Sequence, residues 1–398
     1  MLYPRRCEDR LRELARFFPA VVLTGARQSG KTTLLRATFP KHRYVSLDLP
    51  SVAEQAERNA EQFLAENPAP LLVDEVQYAP GLFRYLKTAV DRRRHSMGQF
   101  VLTGNQHFTL MKGVSESLAG RCGVAELENL SHDEIRAVLG RQDSRAKLLA
   151  MMVRGQFPEL WRERKLPSRD FYMAYLATYL EQDVRQILNV ASLRDFERFL
   201  RVLATRSGAM LNRSDAARDV GVSVKAVGDW LSVLQASGQI VLLEPWFANL
   251  GKRVAKTPKL HFRDSGLLCF LLNLDEETLP GSPLLGAVWE TFLFAEMRKL
   301  NSTLKSPFAF WYYRDQRARE IDFVLERGGE LSFVECKWRE KPGAEDARNL
   351  VAVHEDLVSH KGPWKPGAHY VIGTAAASYA IAPGLTAGAL RDLTRLFS

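Results

Sequence analysis

The segment Gly25-Ala26-Arg27-Gln28-Ser29-Gly30-Lys31-Thr32 constrains this chain more than any other. It follows an apolar run, Ala20–Leu23, and leads into residues with helical spacing. A G-x-x-x-x-G-K-[ST] segment between a buried strand and a helix is a P-loop. Its glycines let backbone N–H groups curl around phosphates, and its lysine adds a mobile positive charge. The start of the following helix favours an anion at the same point. Gly25, Arg27, Gln28, Ser29, Gly30, Lys31, Thr32 and Thr33 are therefore the expected nucleotide-binding residues, with the Thr32 hydroxyl placed for Mg²⁺. The expected ligands are ATP and Mg²⁺.

The residues downstream fit such a site. Leu71-Leu72-Val73-Asp74-Glu75 is a buried run ending in two carboxylates. Asp74 is expected in the Mg²⁺ shell, and Glu75 as the base that polarises the attacking water. Phe100–Asn105 reads as another strand, whose polar tip, Asn105 or Thr103, is placed to hold that water. Arg121 has two readings: an arginine finger acting on a neighbouring subunit, which implies a homo-oligomer, or a salt-bridged surface residue. The strands read here, PAVVLTG, YVSLDL at Tyr44–Leu49, PLLVDEV and QFVLTGN, alternate with helices and imply a parallel sheet. The pattern fades after about Leu130.

The chain has 398 residues, too many for one ordinary core. Boundaries are expected near Gly155 and near Pro280–Pro283, giving domains 1–155, 156–280 and 281–398. Cys7, Cys122, Cys269 and Cys336 stand singly, with no zinc-like spacing, which suits a reducing compartment. The opening MLYPRRCEDRLREL lacks the apolar core of a signal peptide, and Gly266–Leu272 is too short to span a bilayer. A cytoplasmic protein without a membrane partner is expected. The net charge of +9 permits a polyanion partner such as DNA without requiring one.

The segments GARQSGKTTLL, YVSLDLP, LLVDEVQ, LTGNQHF and ESLAGR together resemble the AAA-type ATPases of bacteria and archaea. The resemblance is to the group whose C-terminal domain is of unknown function. It continues through GQFPEL, YLATYLEQDVRQI and KTPKLHFRDSGLL into EIDFVLE and VECK, and so covers nearly the whole chain. One departure is LTGN, where the family more often has serine after the glycine. The fold implied is an α/β P-loop NTPase core, a helical and winged-helix middle, and a restriction-endonuclease-like α/β end.

In the middle region, Ser214–Asp219, the turn Val220–Ser223 and Val224–Ala236 read as a helix-turn-helix, with Ser223 as N-cap of the second helix. Val224, Val227, Leu231 and Leu234 give that helix an apolar face. Its outward residues, Lys225, Asp229 and Gln235, are poor in base-reading groups. GQIVLLEPW and KLHFRD look like the strands of a wing, whose Lys252, Arg253, Lys256 and Lys259 suit phosphate contacts. The alternative is a lid or subunit bridge packed on the ATPase.

Near the C-terminus, Glu320–Glu326 and Leu331–Lys337 flank Arg327-Gly328-Gly329-Glu330. Two glycines tolerate positive φ and favour a two-residue hairpin turn. That turn sets Asp322 opposite Glu335 and Glu320 opposite Lys337, about 5 Å apart at Cβ and all on one face. Two facing carboxylates repel, and a cation between them resolves the repulsion; hard oxygen ligands suit Mg²⁺ or Mn²⁺. The pattern resembles the D…ExK constellation of restriction-endonuclease-like nucleases. That resemblance implies a metal held by Asp322, Glu335 and Glu290, with Lys337 activating water or stabilising phosphate charge. An uncleaving retained fold, or a surface ion-pair cluster, is the alternative.

Overall fold

A computed structural model describes residues 3–104, 107–140, 144–184, 193–247, 257–359 and 364–397. The chain forms two compact units. The first comprises Met1–Val138, Phe157–Arg162 and Ala236–Gly238; the second comprises Leu139–Gln156, Glu163–Gln235 and Gln239–Ser398.

The first unit is built on β1 (Ala20–Gly25), β2 (Arg43–Ser46), β3 (Leu71–Asp74), β4 (Phe100–Thr103) and β5 (Cys122–Leu127). They pair in the order β2-β3-β4-β1-β5, all parallel. Every residue of β1 is buried, because helices cover both faces of the sheet. Ala20 and Val22 pack with Phe63, Phe83 and Leu86 on one side. Val21 and Leu23 pack with Leu11, Leu14 and Leu35 on the other. Strand β2 is shorter than the Tyr44–Leu49 alternation suggested, since Pro50 opens a helix, Pro50–Arg58. Strand β5 was not anticipated: it is an edge strand with interrupted burial and a glycine at its second position.

The second unit begins with helices, among them Arg145–Arg154, Ser168–Tyr179 and Leu193–Ala204. The expected helix-turn-helix elements form as Arg213–Val220 and Val224–Ala236. Gly221, at φ 83°, ends the first helix, and the Ser223 hydroxyl caps the second by accepting from the Ala226 N–H at 3.1 Å. Val224, expected on the apolar face, is exposed. The helix instead buries Trp230 and Val233 beside Val227, Leu231 and Leu234, with Trp230 against Phe196 and Phe199 at ring distances of 5.3 and 5.2 Å. Strands β6 (Ile240–Leu243) and β7 (Lys259–Phe262) pair antiparallel. Lys252, Arg253 and Lys256 lie outside the described residues.

The remaining strands are β8 (Ala309–Arg314), β9 (Glu320–Arg327), β10 (Glu330–Cys336), β11 (Lys365–Pro366), β12 (His369–Ile372), β13 (Tyr379–Ala382) and β14 (Leu385–Gly388). They form one mixed sheet, β13-β14-β12-β10-β9-β8, with β11 beside β10. Gly328 and Gly329 have φ of 61° and 81°, and the hairpin register follows from them: Arg327 pairs with Glu330 and Phe323 with Val334. Ile321, Phe323, Val324, Leu325, Phe333 and Val334 are all buried. The hairpin is therefore largely interior: of its carboxylates Glu335 is buried and Glu320 and Asp322 are half-buried, while Glu330 at the turn is exposed. No helix among the described residues is long and apolar enough to cross a membrane.

Candidate functional site

The P-loop leaves β1 at Gly25, where a Cβ would lie 2.4 Å from the Leu127 carbonyl oxygen. Only glycine lets the loop turn this close to β5. Gly30, at φ 91°, starts the helix Lys31–Thr38. Lys31 is buried, and its ammonium donates to the carbonyls of Gly25 at 3.0 Å and Ala26 at 2.9 Å. The loop carbonyls thus hold the lysine at the place where phosphates are expected. Ser29 is also buried, whereas Gln28 and Thr33 are exposed and Arg27 is half-buried.

The acidic strand end meets this loop. The Thr32 hydroxyl donates to Asp74 Oδ2 at 2.7 Å, and the Tyr44 hydroxyl donates to the same oxygen at 3.0 Å. Asp74 Oδ1 accepts the Glu75 N–H at 3.1 Å. Hydroxyl and carboxylate oxygens converging beside a phosphate loop are the donor set Mg²⁺ prefers, so these residues fit that ion. Glu75 has left-handed backbone angles, φ 55° and ψ 41°, and is buried. Its carboxylate accepts a hydrogen bond from Gln77 Nε2.

Three residues missed by the sequence reading support this site. Gln77 holds Glu75. Tyr44 holds Asp74, under the guanidinium of Arg36. Arg5 donates to the carbonyls of Ser29 at 2.9 Å and Glu128 at 2.5 Å, bracing the loop against the end of β5. A cleft of about 670 Å³ opens beside Gly30, lined by Tyr3, Gln28, Ala37, Leu130, Pro158 and Arg162 among others. Arg5 and Tyr3 lie far upstream of the motif, and nothing in their spacing pointed to it.

Asn105 lies outside the described residues. The alternative water-holder, Thr103, is fully buried, and its hydroxyl is used inside the sheet, donating to the Leu23 carbonyl at 2.9 Å. Arg121 binds Asp91 through two nitrogens, at 2.6 and 3.1 Å. That contact raises the guanidinium pKa through the hydrogen bond to Asp91. Arg121 precedes Cys122, which pairs with Ala20, whereas the P-loop end of the sheet is marked by Gly25 opposite Leu127. Five residues of strand are roughly 16 Å, so Arg121 sits at the wrong end of the sheet to reach its own phosphates.

The second constellation lies at the β9–β10 hairpin. Asp322 and Glu335 come together as the register requires: Asp322 Oδ2 accepts the Cys336 N–H at 2.8 Å. Glu290, on the helix Leu285–Asn301, joins them. Lys337 donates to Glu335 Oε1 at 2.8 Å. The cation among the carboxylates is Lys259, expected on a solvated wing. Its side chain is 2% exposed, and its ammonium lies 3.2 Å from Glu290, 2.5 Å from Glu320 and 3.8 Å from Asp322. Burial acts to lower the Lys259 pKa, but Glu290, Asp322 and Glu320 overcome it and hold the ammonium charged. Burial and the Asp322 charge push the Glu290 carboxyl well up despite Lys259, while Glu320 is also paired with Arg314 at 3.0 Å. Burial, then Asp322, likewise push Glu335 up to about 8, against Lys337. Among the described residues, no group of three or more His, Cys, Asp or Glu is arranged to hold a metal ion. As these side chains stand, a divalent ion does not fit where Lys259 Nζ already sits.

A parallel sheet with a P-loop after β1 and a Thr–Asp pair at its edge defines a P-loop ATPase. Residues 18–136 match the family model described as AAA domain, so the first unit carries an AAA-type ATPase domain. Residues 145–278 and 285–391 match two domains of unknown function, DUF8612 and DUF4143. The uncharacterized proteins Rv2008c of Mycobacterium tuberculosis and Mb2031c of Mycobacterium bovis are each 32% identical over 347 residues, covering 86% of this chain and 76% of theirs. The chain belongs to the family of these mycobacterial proteins. Among solved structures, the Walker-type ATPase PABY2304 of Pyrococcus abyssi is 18% identical, with a TM-score of 0.46, over 68% of this chain and 96% of that one. The RuvB Holliday junction branch migration motor of Thermotoga maritima is 17% identical, with a TM-score of 0.31, over 59% and 87%. Likeness at these values assigns no activity.

Proposed function

We propose that the first unit hydrolyses ATP with Glu75 as the base, and that the nucleotide state switches the remainder of the chain. The hydrogen bond from Thr32 to Asp74 carries this reading, because it brings a hydroxyl and a carboxylate together beside the phosphate loop. Lys31 exchanges two neutral carbonyls for charged phosphate oxygens, which are stronger acceptors. Thr32 and Asp74 would hold Mg²⁺, which when bound supplies positive charge to the phosphoryl oxygens. Glu75, steadied by Gln77, takes the proton of the attacking water, and Asn105 orients that water. Arg121 serves the site of a neighbouring chain in a homo-oligomer, after leaving Asp91.

The partner proposed for the output is DNA, met through its phosphates. The net charge of +9 and the helix-turn-helix elements support that reading. Lys259 does not contribute, being buried. The second reading, a protein-docking C-terminal sheet that cuts nothing, is favoured by the ammonium seated among Glu290, Glu320 and Asp322. ATPase rates measured with and without single-stranded, duplex and branched DNA separate the two. DNA action predicts stimulation by at least one form and binding that weakens steeply with salt. Unchanged rates and no binding at low salt would leave the docking reading.

A further inference from the structure

We infer that Arg5, outside the nucleotide motif, sets the affinity of the proposed ATP site by holding the Ser29–Gly30 peptide with its N–H turned toward the phosphates, and that Glu134 holds Arg5 in that role. This role rests on the ATP site proposed above. Arg5 is a positioning residue in it, acting through the loop rather than on the nucleotide.

A trans peptide points its carbonyl and its N–H in opposite directions. The Ser29 carbonyl accepts from Arg5 Nη1 at 2.9 Å, so the Gly30 N–H points away from Arg5, to the side where phosphates are expected. Gly30 sits at φ 91° just before the helix Lys31–Thr38, where backbone N–H groups form an anion-binding nest. The loop alone does not secure this arrangement. Glycine accepts either sign of φ at little cost, so the Ser29–Gly30 peptide is free to turn over. Turned over, it would aim a carbonyl oxygen at the phosphates in place of a donor. The Ser29 N–H reaches the Ala26 carbonyl only at 3.4 Å, a bond too long to fix the turn.

Arg5 is itself held firmly. Its Nη2 donates to the Glu128 carbonyl at 2.5 Å, just past β5, and its Nε lies 3.3 Å from Glu134 Oε2. Both side chains are 8% exposed. Glu134 closes a capping box at the start of the helix His132–Leu139: its Oε2 accepts the Ser131 N–H at 2.8 Å, and the Ser131 hydroxyl accepts the Glu134 N–H at 3.2 Å. Its Oε1 accepts the Arg6 N–H at 2.8 Å, which ties the carboxylate to the residue after Arg5. The helix Cys7–Phe17 follows at once and packs Leu11 and Leu14 with Val21 of β1. The guanidinium is thus fixed to the sheet from both ends. Its planar fork suits two carbonyls and a carboxylate, which one ammonium cannot serve at once. Because Glu134 answers the charge of Arg5, the pair acts on the loop by orientation rather than by attracting phosphate.

The test is calorimetric titration of the full-length protein with ATP and with ADP, with kcat and the thermal midpoint measured in parallel. Arg5→Met removes the donors and keeps most of the side-chain length. It should weaken ATP and ADP alike by about tenfold to a hundredfold, the value of one hydrogen bond to a charged group. The cost falls on the free protein, whose loop must be turned into place before binding. At saturating ATP, kcat should therefore stay within about threefold of wild type. Arg5→Lys, which can serve one carbonyl, should fall between. Arg6→Ala, which loses only the pair with Asp133, should bind as wild type does. If Arg5→Met does not fold because Glu134 is left buried without its partner, Arg5→Met with Glu134→Gln removes that charge and carries the same expectation. A folded variant lacking Arg5 that keeps wild-type affinity would overturn the inference and leave the ATP site standing. A fall in kcat and midpoint at unchanged affinity would overturn it equally, because Arg5 would then serve only the stability of the fold. Wild type that binds neither ATP nor ADP would remove the ATP site, and this role with it.

Discussion

Replacing Gln77 by leucine should slow ATP turnover while leaving nucleotide affinity alone. Glu75 and Gln77 are both buried, and the Gln77 amide donates to the Glu75 carboxylate. The backbone at Glu75 is left-handed, which directs the side chain away from the path of β3. Gln77 is in turn wedged against the end of β4: a Cβ on Gly104 would lie 2.0 Å from Gln77 Oε1. Leucine removes the donor and keeps most of the bulk. A hydrogen bond to a charged group is worth about 1.5–3 kcal/mol. If that energy holds the base in its working position, its loss lowers kcat by about tenfold to a hundredfold. Steady-state hydrolysis should show the loss in kcat with KM within about twofold, and nucleotide titration should give unchanged affinity. A kcat equal to wild type would refute the positioning role. An equal fall in affinity would mean that Gln77 only supports the fold of the loop.

Arg121→Ala should reduce turnover by about a thousandfold under conditions where chains associate, and have no effect on isolated chains, because its own P-loop lies at the other end of the sheet; normal turnover at every protein concentration would discard the finger. A pH effect is expected in the C-terminal sheet. His369 accepts the Phe333 N–H at Nδ1 and lies 2.7 Å from His354, and burial, then His354, lowers its pKa to about 4. Its contribution is fully present above pH ~6.5 and is lost as pH falls towards 4, a change of about 3 kcal/mol. Urea unfolding of wild type and His369→Gln across that window should show the difference shrinking by this amount, and a constant difference would contradict the assignment.

The candidate nucleotide site was legible in the sequence because its chemistry is local. Gly25, Lys31, Thr32 and the Asp74–Glu75 strand end fall in short segments whose spacing sets their geometry. The β9–β10 register was legible for the same reason, since Gly328 and Gly329 admit few turns. What escaped was set by tertiary contact. Cys122–Leu127 alternates weakly and carries a glycine, so the fifth strand left little trace. Arg5 braces Ser29 from 24 residues away. Lys259 looked like one more basic residue of a wing, because a lysine's sequence neighbours do not say whether its ammonium meets water or carboxylates. Its strand is buried at all four positions, which alternation did not suggest. The facing carboxylates suggested a divalent ion shared by Asp322 and Glu335; instead Lys259 sits among Glu290, Glu320 and Asp322, and Glu335 takes Lys337.

The most direct test of the account compares Glu75→Gln with wild type at saturating ATP and Mg²⁺. Glutamine keeps the size and hydrogen bonding of the side chain but cannot take a proton, so only the proposed base is lost. The account predicts ATP affinity within about twofold of wild type and hydrolysis slowed by about a hundredfold or more. Hydrolysis by Glu75→Gln at the wild-type rate would contradict it.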